Sequence, residues 1–239
     1  MTMKPSSLTV RDLAAGYEGT PVLHDISCDI EPGKVTAVLG HNGAGKTTLA
    51  KALYGVLPRV KGKVLLDGVD IYSLSVAERL RRGIALVPQE HAVFPELLVD
   101  ENLRVAAGAQ KYSGAQLEAK INQIWELFPI LQEFRERPAS DLSGGQQRML
   151  SIGMGLMTSP RLLILDEPSL GLSPVLVEQV MQQVSQICNE FNVTVILIEQ
   201  NVEAALKIAD HVLAIRNGRV IHDGKRADLK VAADVVALL

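Results

Sequence analysis

The sequence has 239 residues, of which 47% are hydrophobic and 21% charged, and its formal net charge is −3. A chain of this length can bury a substantial core, and we expect one domain, residues 1–239, built of lobes. No run of Lys or Arg suggests a nucleic-acid-binding surface, and no stretch approaches the ~18–20 apolar residues that cross a bilayer. Cys28 and Cys188 are far apart in sequence and lack metal-ligand spacing, which favours a reducing cytoplasm over a disulfide framework or a metal site.

The first part of the chain predicts antiparallel strands around one buried strand. A turn-rich stretch, residues 16–21, separates the first two strands, and Asp67-Gly68 suits a tight hairpin turn between the last two. A helical pattern over Lys46–Gly55 follows the buried strand. The predicted strands are Leu8–Ala14, Val22–Ile30, Val35–Leu39, Lys63–Leu66 and Val69–Ile71.

The middle of the chain predicts a mostly helical lobe, about residues 91–157, inserted into the sheet. A short helix over Ser75–Arg82 and a buried strand over Ile84–Val87 lead into it. Pro138 ends a segment rich in charge and helix formers. The helices predicted in this lobe are Val99–Ala107, Gln116–Phe128 and Gln147–Met157.

The last part of the chain alternates strands and helices, which is typical of a parallel sheet. Asn217-Gly218 predicts the turn of a closing hairpin, and a short helical tail is expected from Arg226 to Leu239. The chain is therefore predicted to have an α/β fold, with the core and a β lobe in about residues 1–90 and 158–239. The remaining predicted elements are strands Leu162–Leu165, Val193–Ile198, Val212–Ile215 and Arg219–Ile221 and helix Val175–Cys188.

A glycine-rich loop joins the first buried strand to the first helix. Glycines let successive backbone N–H groups converge on phosphate oxygens at the positive end of a helix dipole. In such a loop Lys46 reaches the β- and γ-phosphates of ATP, and the Thr47 hydroxyl binds the bridging Mg²⁺. A glycine-rich turn with a surface lysine is the alternative, and the flanking strand and helix argue against it. The predicted nucleotide-binding residues are Gly40, His41, Asn42, Gly43, Ala44, Gly45, Lys46, Thr47 and Thr48.

Two carboxylates, Asp166 and Glu167, follow four apolar residues and match the Walker B pattern. The carboxyl end of a buried strand is where ligands of open parallel sheets bind. We expect Asp166 to hold the Mg²⁺ shell, and we expect Glu167 to orient and deprotonate the attacking water. The alternative is a strand that simply ends in solvated acids.

The stretch from Leu142 to Gln146 begins a second helix without a preceding strand. Two glycines and a serine at a helix N-terminus offer backbone N–H groups and a hydroxyl to phosphate. An ordinary capped helix is the alternative. A chain with two phosphate-binding helix starts needs an arrangement in which both can contact one nucleotide. The residues of this second candidate site are Ser143, Gly144, Gly145 and Gln146.

With these motifs the sequence resembles the ATP-binding-cassette (ABC) family of transporter ATPases, whose signature is Leu-Ser-Gly-Gly-Gln. The resemblance runs from Leu8 to about Leu229. It implies a RecA-like P-loop NTPase core with an antiparallel β subdomain and an inserted helical subdomain. It also implies that two cassettes pair head to tail, so that the Ser143–Gln146 stretch acts on the γ-phosphate of ATP bound by the partner chain.

The resemblance implies roles for two more residues. Tyr17 falls where the family stacks an aromatic ring on adenine, with a buried core tyrosine as the alternative. Gln89 falls at the family's Q-loop, where it contacts Mg²⁺ or the attacking water and leads into the lobe that contacts the membrane subunit. A solvent-facing glutamine after a proline is the alternative for Gln89.

Two positions depart from the common family pattern. The stretch Ser169–Leu172 stands where the family usually has Ser-Ala-Leu-Asp. Gly171 and Leu172 therefore replace Leu-Asp, and the carboxylate that reaches across the dimer interface in the family is missing. Gln200 stands at the switch-histidine position; an amide can donate a hydrogen bond to the γ-phosphate but cannot carry a proton. These stretches, with Glu199-Gln200-Asn201, are similar to the second ATPase subunit of branched-chain amino-acid uptake systems and of related urea and amide importers.

The sequence is therefore interpreted as an ATP-hydrolysing subunit of an importer, with catalytic roles for Glu167, Gln89 and Gln200. The expected cofactors are ATP and Mg²⁺, and the expected Mg²⁺ ligands are Thr47, Gln89 and Asp166. The expected partners are a second cassette, non-identical or identical, membrane permease subunits and, indirectly, a solute-binding protein, at the cytoplasmic face of the inner membrane. One alternative is a soluble cassette ATPase that acts on nucleic acid or a cofactor-assembly complex. Another, a small-molecule kinase, leaves Leu142–Gln146 without a role.

Overall fold

A computed structural model describes residues 4–18, 20–57, 60–90 and 92–229, and within them the chain forms ten strands and eight α-helices. The strands are β1 Leu8–Tyr17, β2 Thr20–Ile30, β3 Val35–Leu39, β4 Val60–Leu66, β5 Val69–Asp70, β6 Ile84–Val87, β7 Leu162–Asp166, β8 Thr194–Glu199, β9 His211–Arg216 and β10 Arg219–Lys225. The helices are α1 Lys46–Tyr54, α2 Val76–Arg81, α3 Val99–Ala107, α4 Gly114–Leu127, α5 Pro129–Glu133, α6 Gly144–Met157, α7 Pro174–Glu190 and α8 Val202–Leu206.

The central sheet has six strands in the order β10-β9-β3-β8-β7-β6. All neighbours are parallel except β10 and β9, which form an antiparallel hairpin. Strands β3, β7 and β8 are buried along their whole length, which explains why they read as unbroken apolar runs. Their register places Leu39 beside Glu199 and Asp166 beside Ile198, so the carboxyl ends of the three strands meet at one edge.

A second, antiparallel sheet has the order β2-β1-β4-β5. Its apolar face covers helix α1, because residues of β1 and β2 belong to the same hydrophobic cluster as Leu49 and Leu53 of that helix. The cluster also contains Ile164 and Ile196 from the central sheet. Helix α1 is therefore enclosed between the two sheets, with its first residue at the edge where the parallel strands end.

The other face of the central sheet packs against helices α3 to α8. A single hydrophobic cluster joins Leu163 and Leu165 of β7 to Leu103 of α3, Ile124 of α4 and Leu150 of α6. The helical lobe predicted at about residues 91–157 therefore has no separate core of its own among the described residues. Its extent as a distinct unit stays a prediction.

Several predicted boundaries differ from the structure for identifiable reasons. Strand β1 continues to Tyr17 and strand β2 begins at Thr20, and these two residues pair with each other. The turn predicted over residues 16–21 is therefore much shorter. Helix α6 starts at Gly144 and not at Gln147, because Ser143 and Gln146 form a capping box that fixes the first turn.

Two short helices were not predicted, because the five residues of α5 or of α8 are too few to show a helical period. At the predicted C-terminal tail, Arg226–Asp228 forms a 3-10 turn and not an α-helix, and residues 230–239 lie outside the described residues. None of the helices in the described ranges is long and apolar enough to cross a bilayer.

Candidate active site

The glycine-rich loop lies between the end of β3 and the start of α1, as the sequence predicts. Gly45 is the N-cap of α1 with a φ of 105°, a conformation that glycine adopts without steric cost, and a Cβ there would lie 2.8 Å from Leu23. Gly40 approaches β9 so closely that a Cβ would lie 2.5 Å from the Ile215 carbonyl oxygen. No side chain caps α1, so its first N–H groups are left for another acceptor.

Lys46 is buried at the centre of this loop. Its Nζ donates to the carbonyl oxygens of Gly40 at 2.9 Å and His41 at 3.2 Å. The same ammonium lies 3.1 Å from Oε1 of Glu167, and both side chains are less than a tenth exposed. A buried charge is tolerated only when it is paired and hydrogen-bonded. The loop carbonyl oxygens accept hydrogen bonds from the Lys46 ammonium, and the Glu167 carboxylate neutralises its charge.

Thr47 and Asp166 bring two oxygen ligands together. The Thr47 hydroxyl donates to Oδ1 of Asp166 at 3.2 Å. Burial raises the pKa of Asp166, the Thr47 hydrogen bond lowers it, and the nearby Glu167 charge raises it further. Hydroxyl and carboxylate oxygens are ligands that Mg²⁺ prefers, and a divalent cation would stabilise the buried Asp166 carboxylate. The donor set therefore fits Mg²⁺.

Glu167 adopts an uncommon backbone conformation directly after β7. Its φ of 49° lies in the left-handed region, which costs a non-glycine residue roughly 1 kcal/mol or more. Its N–H donates to the Ile198 carbonyl oxygen at 2.9 Å, which holds the strained turn against β8. The turn directs the side chain toward Lys46 and the phosphate loop, so a carboxylate able to accept a proton lies there.

Lys46, Thr47 and Glu167 line a cleft of about 540 Å³ at the carboxyl edge of the parallel sheet, whereas Asp166 contacts Thr47 without lining the cleft itself. The cleft brings together the glycine-rich loop, Gln89 after β6, Glu167 after β7 and Gln200 after β8. Gln89 is half-buried and Gln200 is exposed. The residues that line the cleft are Val22, Asn42, Gly43, Gly45, Lys46, Thr47, Thr48, Gln89, Glu167, Leu170 and Gln200.

The signature stretch is absent from that lining. Ser143 accepts a hydrogen bond from the Gln146 N–H at 3.3 Å, and the Gln146 side chain accepts one from the Ser143 N–H at 2.8 Å. Ser143 and Gly144 are exposed, whereas Gly145 packs against Leu176 at the start of α7. This helix start does not contribute to the cleft of its own chain.

Tyr17 also lies outside the cleft lining, at the end of β1. Its ring is 41% exposed, which excludes the alternative of a buried core tyrosine. The ammonium of Lys51 lies 5.7 Å from the centre of the ring, within the range of a cation–π contact. The stacking of adenine on this exposed ring stays a prediction.

Sequence reasoning missed four residues around the cleft. Val22 and Leu170 line it; nothing in their local pattern distinguishes them from other apolar residues. Arg148 is 2% exposed and donates to the backbone carbonyl oxygens of Pro88 and Gln89. Glu199 ends a buried apolar strand just as Asp166 does, and that shared pattern could have identified it.

Comparison with known proteins identifies the family of the chain. The model of the family described as "ABC transporter" matches residues 23–170, which include the phosphate loop, the signature stretch and both Walker B acids. The chain belongs to the ABC transporter family. The resemblance drawn from the sequence motifs is thereby confirmed.

Two curated ABC transporter proteins illustrate the relationship. The chain is 40% identical over 208 residues to the high-affinity branched-chain amino acid transport ATP-binding protein BraG of Pseudomonas aeruginosa, with 87% of this chain and 88% of the relative covered. It is 37% identical over 217 residues to the probable branched-chain amino acid transport ATP-binding protein LivF of Archaeoglobus fulgidus, with 91% of each covered.

Solved ABC transporter cassettes have the same fold. CbiO1 from Clostridium perfringens, part of the transporter complex cbiONQ, superposes with a TM-score of 0.86 at 29% identity and covers 98% of this chain and 93% of that one. The predicted P-loop NTPase fold is thus confirmed. Membership in this family makes the chain a nucleotide-binding ATPase coupled to transport.

Proposed function

We propose that this ABC transporter ATPase energises the uptake of branched-chain amino acids. The observation that carries the proposal is its identity of 40% and 37%, over nearly the full length, to two proteins named for that transport. The stretches Ser169–Leu172 and Glu199–Asn201, which depart from the common ABC pattern, support the same subgroup. The buried cleft residues provide the ATPase chemistry that such a subunit requires.

In the proposed mechanism the chain binds ATP through the loop Gly40–Thr48, with Lys46 on the β- and γ-phosphates. Tyr17 stacks on the adenine. Thr47, Asp166 and Gln89 would hold Mg²⁺, which neutralises charge on the phosphates when bound. Glu167 orients the attacking water and accepts its proton.

Gln200 donates a hydrogen bond to the γ-phosphate through its side-chain amide in this mechanism. It can supply one donor but no proton and no charge, so its stabilisation of the transition state is weaker than that of an imidazolium. With Leu172 in place of a carboxylate as well, this site is inherently slow. We therefore assign the chain an unlike partner cassette whose own site carries the usual histidine.

The partner cassette contacts Ser143–Gln146 of this chain, which present an exposed helix start next to the first turn of α7. The signature then acts on the partner's nucleotide and completes its site. Permease subunits hold the pair at the cytoplasmic face of the inner membrane, and a solute-binding protein delivers the substrate to them. The chain contacts ATP and its partners but not the transported solute.

The test is affinity purification of the tagged chain from solubilised membranes, followed by reconstitution of the complex into liposomes. We expect the tagged chain to co-purify with an integral membrane protein and a second cassette. We also expect the reconstituted complex to take up radiolabelled leucine when ATP is supplied. Uptake should stop in Lys46→Ala and continue in Lys207→Ala, a substitution in an exposed ion pair with Glu178. Recovery with nucleic acid and without a membrane protein would instead support the soluble cassette ATPase.

A further inference from the structure

Glu199 is a buried acid at the carboxyl end of β8, and it does not line the cleft. The residue is 2% exposed and pairs in the sheet with Leu39, the last residue of β3. Burying a carboxylate costs folding free energy unless hydrogen bonds or an opposite charge compensate it. The presence of an acid here therefore needs an explanation beyond packing.

Both carboxylate oxygens of Glu199 accept backbone hydrogen bonds. Oε1 accepts from the N–H of Ser169 at 2.9 Å. Oε2 accepts from the N–H of Gln200 at 3.2 Å and from that of Asn201 at 3.4 Å. One side chain therefore contacts the loop that follows β7 and the loop that follows β8.

These two loops carry the groups that face the γ-phosphate in the proposed mechanism. Ser169 lies two residues after Glu167, and Gln200 is the next residue after Glu199 itself. The β7–β8 ladder ends at Asp166 and Ile198, and just past it the Glu167 N–H donates to the Ile198 carbonyl oxygen at 2.9 Å. Beyond the end of this ladder the Glu199 carboxylate joins the two loops, and so it helps to fix the spacing between Glu167 and Gln200.

An opposite charge near Glu199 comes from the signature helix. Burial lowers the pKa of the Arg148 guanidinium on α6, while the charges of Glu199 and Asp166 raise it. Arg148 also donates to the carbonyl oxygens of Pro88 and Gln89. Burial raises the pKa of Glu199, and its hydrogen bonds from Ser169, Asn201 and Gln200 lower it.

We propose that Glu199 is a positioning residue for ATP hydrolysis, whose carboxylate holds the Glu167 loop and Gln200 at the spacing that the reaction requires. The proposal rests on the proposed roles of Glu167 and Gln200. Glu199 does not line the cleft; it acts through the two loops whose residues Glu167, Leu170 and Gln200 do. It leaves the phosphate loop and Lys46 untouched, so its contribution falls on turnover and not on ATP binding.

The decisive comparison is Glu199→Gln against Glu199→Asp, with Glu203→Gln as the matched control on the exposed side of α8. A glutamine turns an NH₂ group toward backbone N–H groups, whereas an aspartate keeps the charge but shortens the reach. Single-turnover hydrolysis, with the full chain in excess over ATP, is measured together with ATP affinity and thermal unfolding. We expect Glu199→Gln to slow hydrolysis by roughly 10- to 100-fold, with ATP affinity within about twofold of the original.

Glu199→Asp should recover part of the rate, and Glu203→Gln should match the original chain. In a Gln200→Ala background, Glu199→Gln should cause a much smaller further loss, because coupled residues are not additive. Normal hydrolysis by Glu199→Gln overturns the proposal. Glu199→Gln could instead lose ATP affinity and thermal stability together while the rate per bound ATP stays unchanged. That result would give Glu199 a purely structural role and would also overturn the proposal.

The outcomes also separate this proposal from the proposed function. If Glu167→Gln hydrolyses ATP normally, the catalytic assignment itself is wrong. If Glu167→Gln is impaired and Glu199→Gln is not, only the positioning role fails. Should Glu199→Gln not fold, Glu199→Asp decides: hydrolysis at the original rate overturns the proposal, and a slower rate at normal ATP affinity supports it.

Discussion

The phosphate loop at the start of α1 and the signature stretch at the start of α6 are both glycine-containing helix N-termini, but their surroundings differ. At α1 the cap residue is glycine, no side chain caps the helix, and the buried Lys46 pairs with Glu167. At α6, Ser143 and Gln146 cap the helix themselves, and Ser143 and Gly144 are exposed.

An uncapped helix start leaves its N–H groups open to an acceptor that is not part of the chain. Enclosed by Glu167, Gln89 and Gln200, the start of α1 is a site that the chain assembles alone. The start of α6 is already complete as a helix terminus and does not line that cleft. The difference supports the proposal that one helix start binds the chain's own nucleotide and that the other contacts a partner cassette.

Among the substitutions in the cleft at the start of α1, Lys46→Ala should have the largest effect. It removes the cation at the centre of the loop and leaves Glu167 buried without its partner. In the proposed mechanism Lys46 pairs with the β- and γ-phosphates, and truncating one partner of a buried charge pair costs several kcal/mol of binding free energy, so ATP affinity should fall at least ~100-fold. Equilibrium titration with a fluorescent ATP analogue measures this, with Lys207→Ala as the control. Near-normal affinity would show that the loop does not bind the phosphates through Lys46.

Glu167→Gln tests the chemistry of the same cleft without removing its shape. The amide keeps one acceptor oxygen but cannot take a proton from water, so turnover should fall by roughly 10²–10⁴-fold while ATP still binds. Steady-state phosphate release and ATP retention on a gel-filtration column measure the two effects. Glu178→Gln, an exposed acid on α7, is the control. Full turnover in Glu167→Gln would move the general base to another residue.

Ser143→Arg tests the outward-facing helix start. A bulky cation at a helix N-terminus is unfavourable and would obstruct a second molecule there, so ATP-dependent association with the partner cassette should be lost while ATP binding persists. Ser113→Arg is a matched control, because Ser113 caps α4 with the same capping box to a glutamine. Light scattering with ATP reports association. Intact association in Ser143→Arg, or equal loss in both variants, would contradict the trans role.

Gln200→His has the smallest expected effect. It tests the cleft at the start of α1, which the chain forms alone, by raising its rate of hydrolysis. An imidazole can carry the charge that an amide cannot, so hydrolysis by the isolated chain should rise by about 10-fold, a fraction of the ~10²–10³ attributed to one well-placed donor. Glu203→His, on the exposed side of α8, controls for a histidine nearby in the chain. Equal rates for Gln200→His and the original chain would remove the main argument for an unlike partner.

Much of this site could be predicted from local sequence, because its parts are short motifs at strand ends. The glycine loop, Asp166 and Gln200 lie where their patterns placed them relative to β3, β7 and β8. The pairing of Lys46 with Glu167 and the contacts of Glu199 could not be predicted, because they depend on which strands are neighbours in the sheet. That order is set by packing between segments distant in sequence, since β3 is more than a hundred residues from β8 and Ser169 is 30 residues from Glu199, and no local period records it.

The position of β3 in the sheet has a consequence for how the protein is made. The phosphate-binding strand is synthesised early, yet its two neighbours are β8, which begins at Thr194, and β9, which ends at Arg216. At ~5–20 residues per second on the ribosome, β3 waits on the order of ten seconds or more for either neighbour. Such long-range parallel pairing folds slowly and leaves apolar strands unpaired meanwhile. The nascent chain therefore cannot bind its first nucleotide until β8 and β9 have been synthesised. Until they emerge, it depends on protection from aggregation.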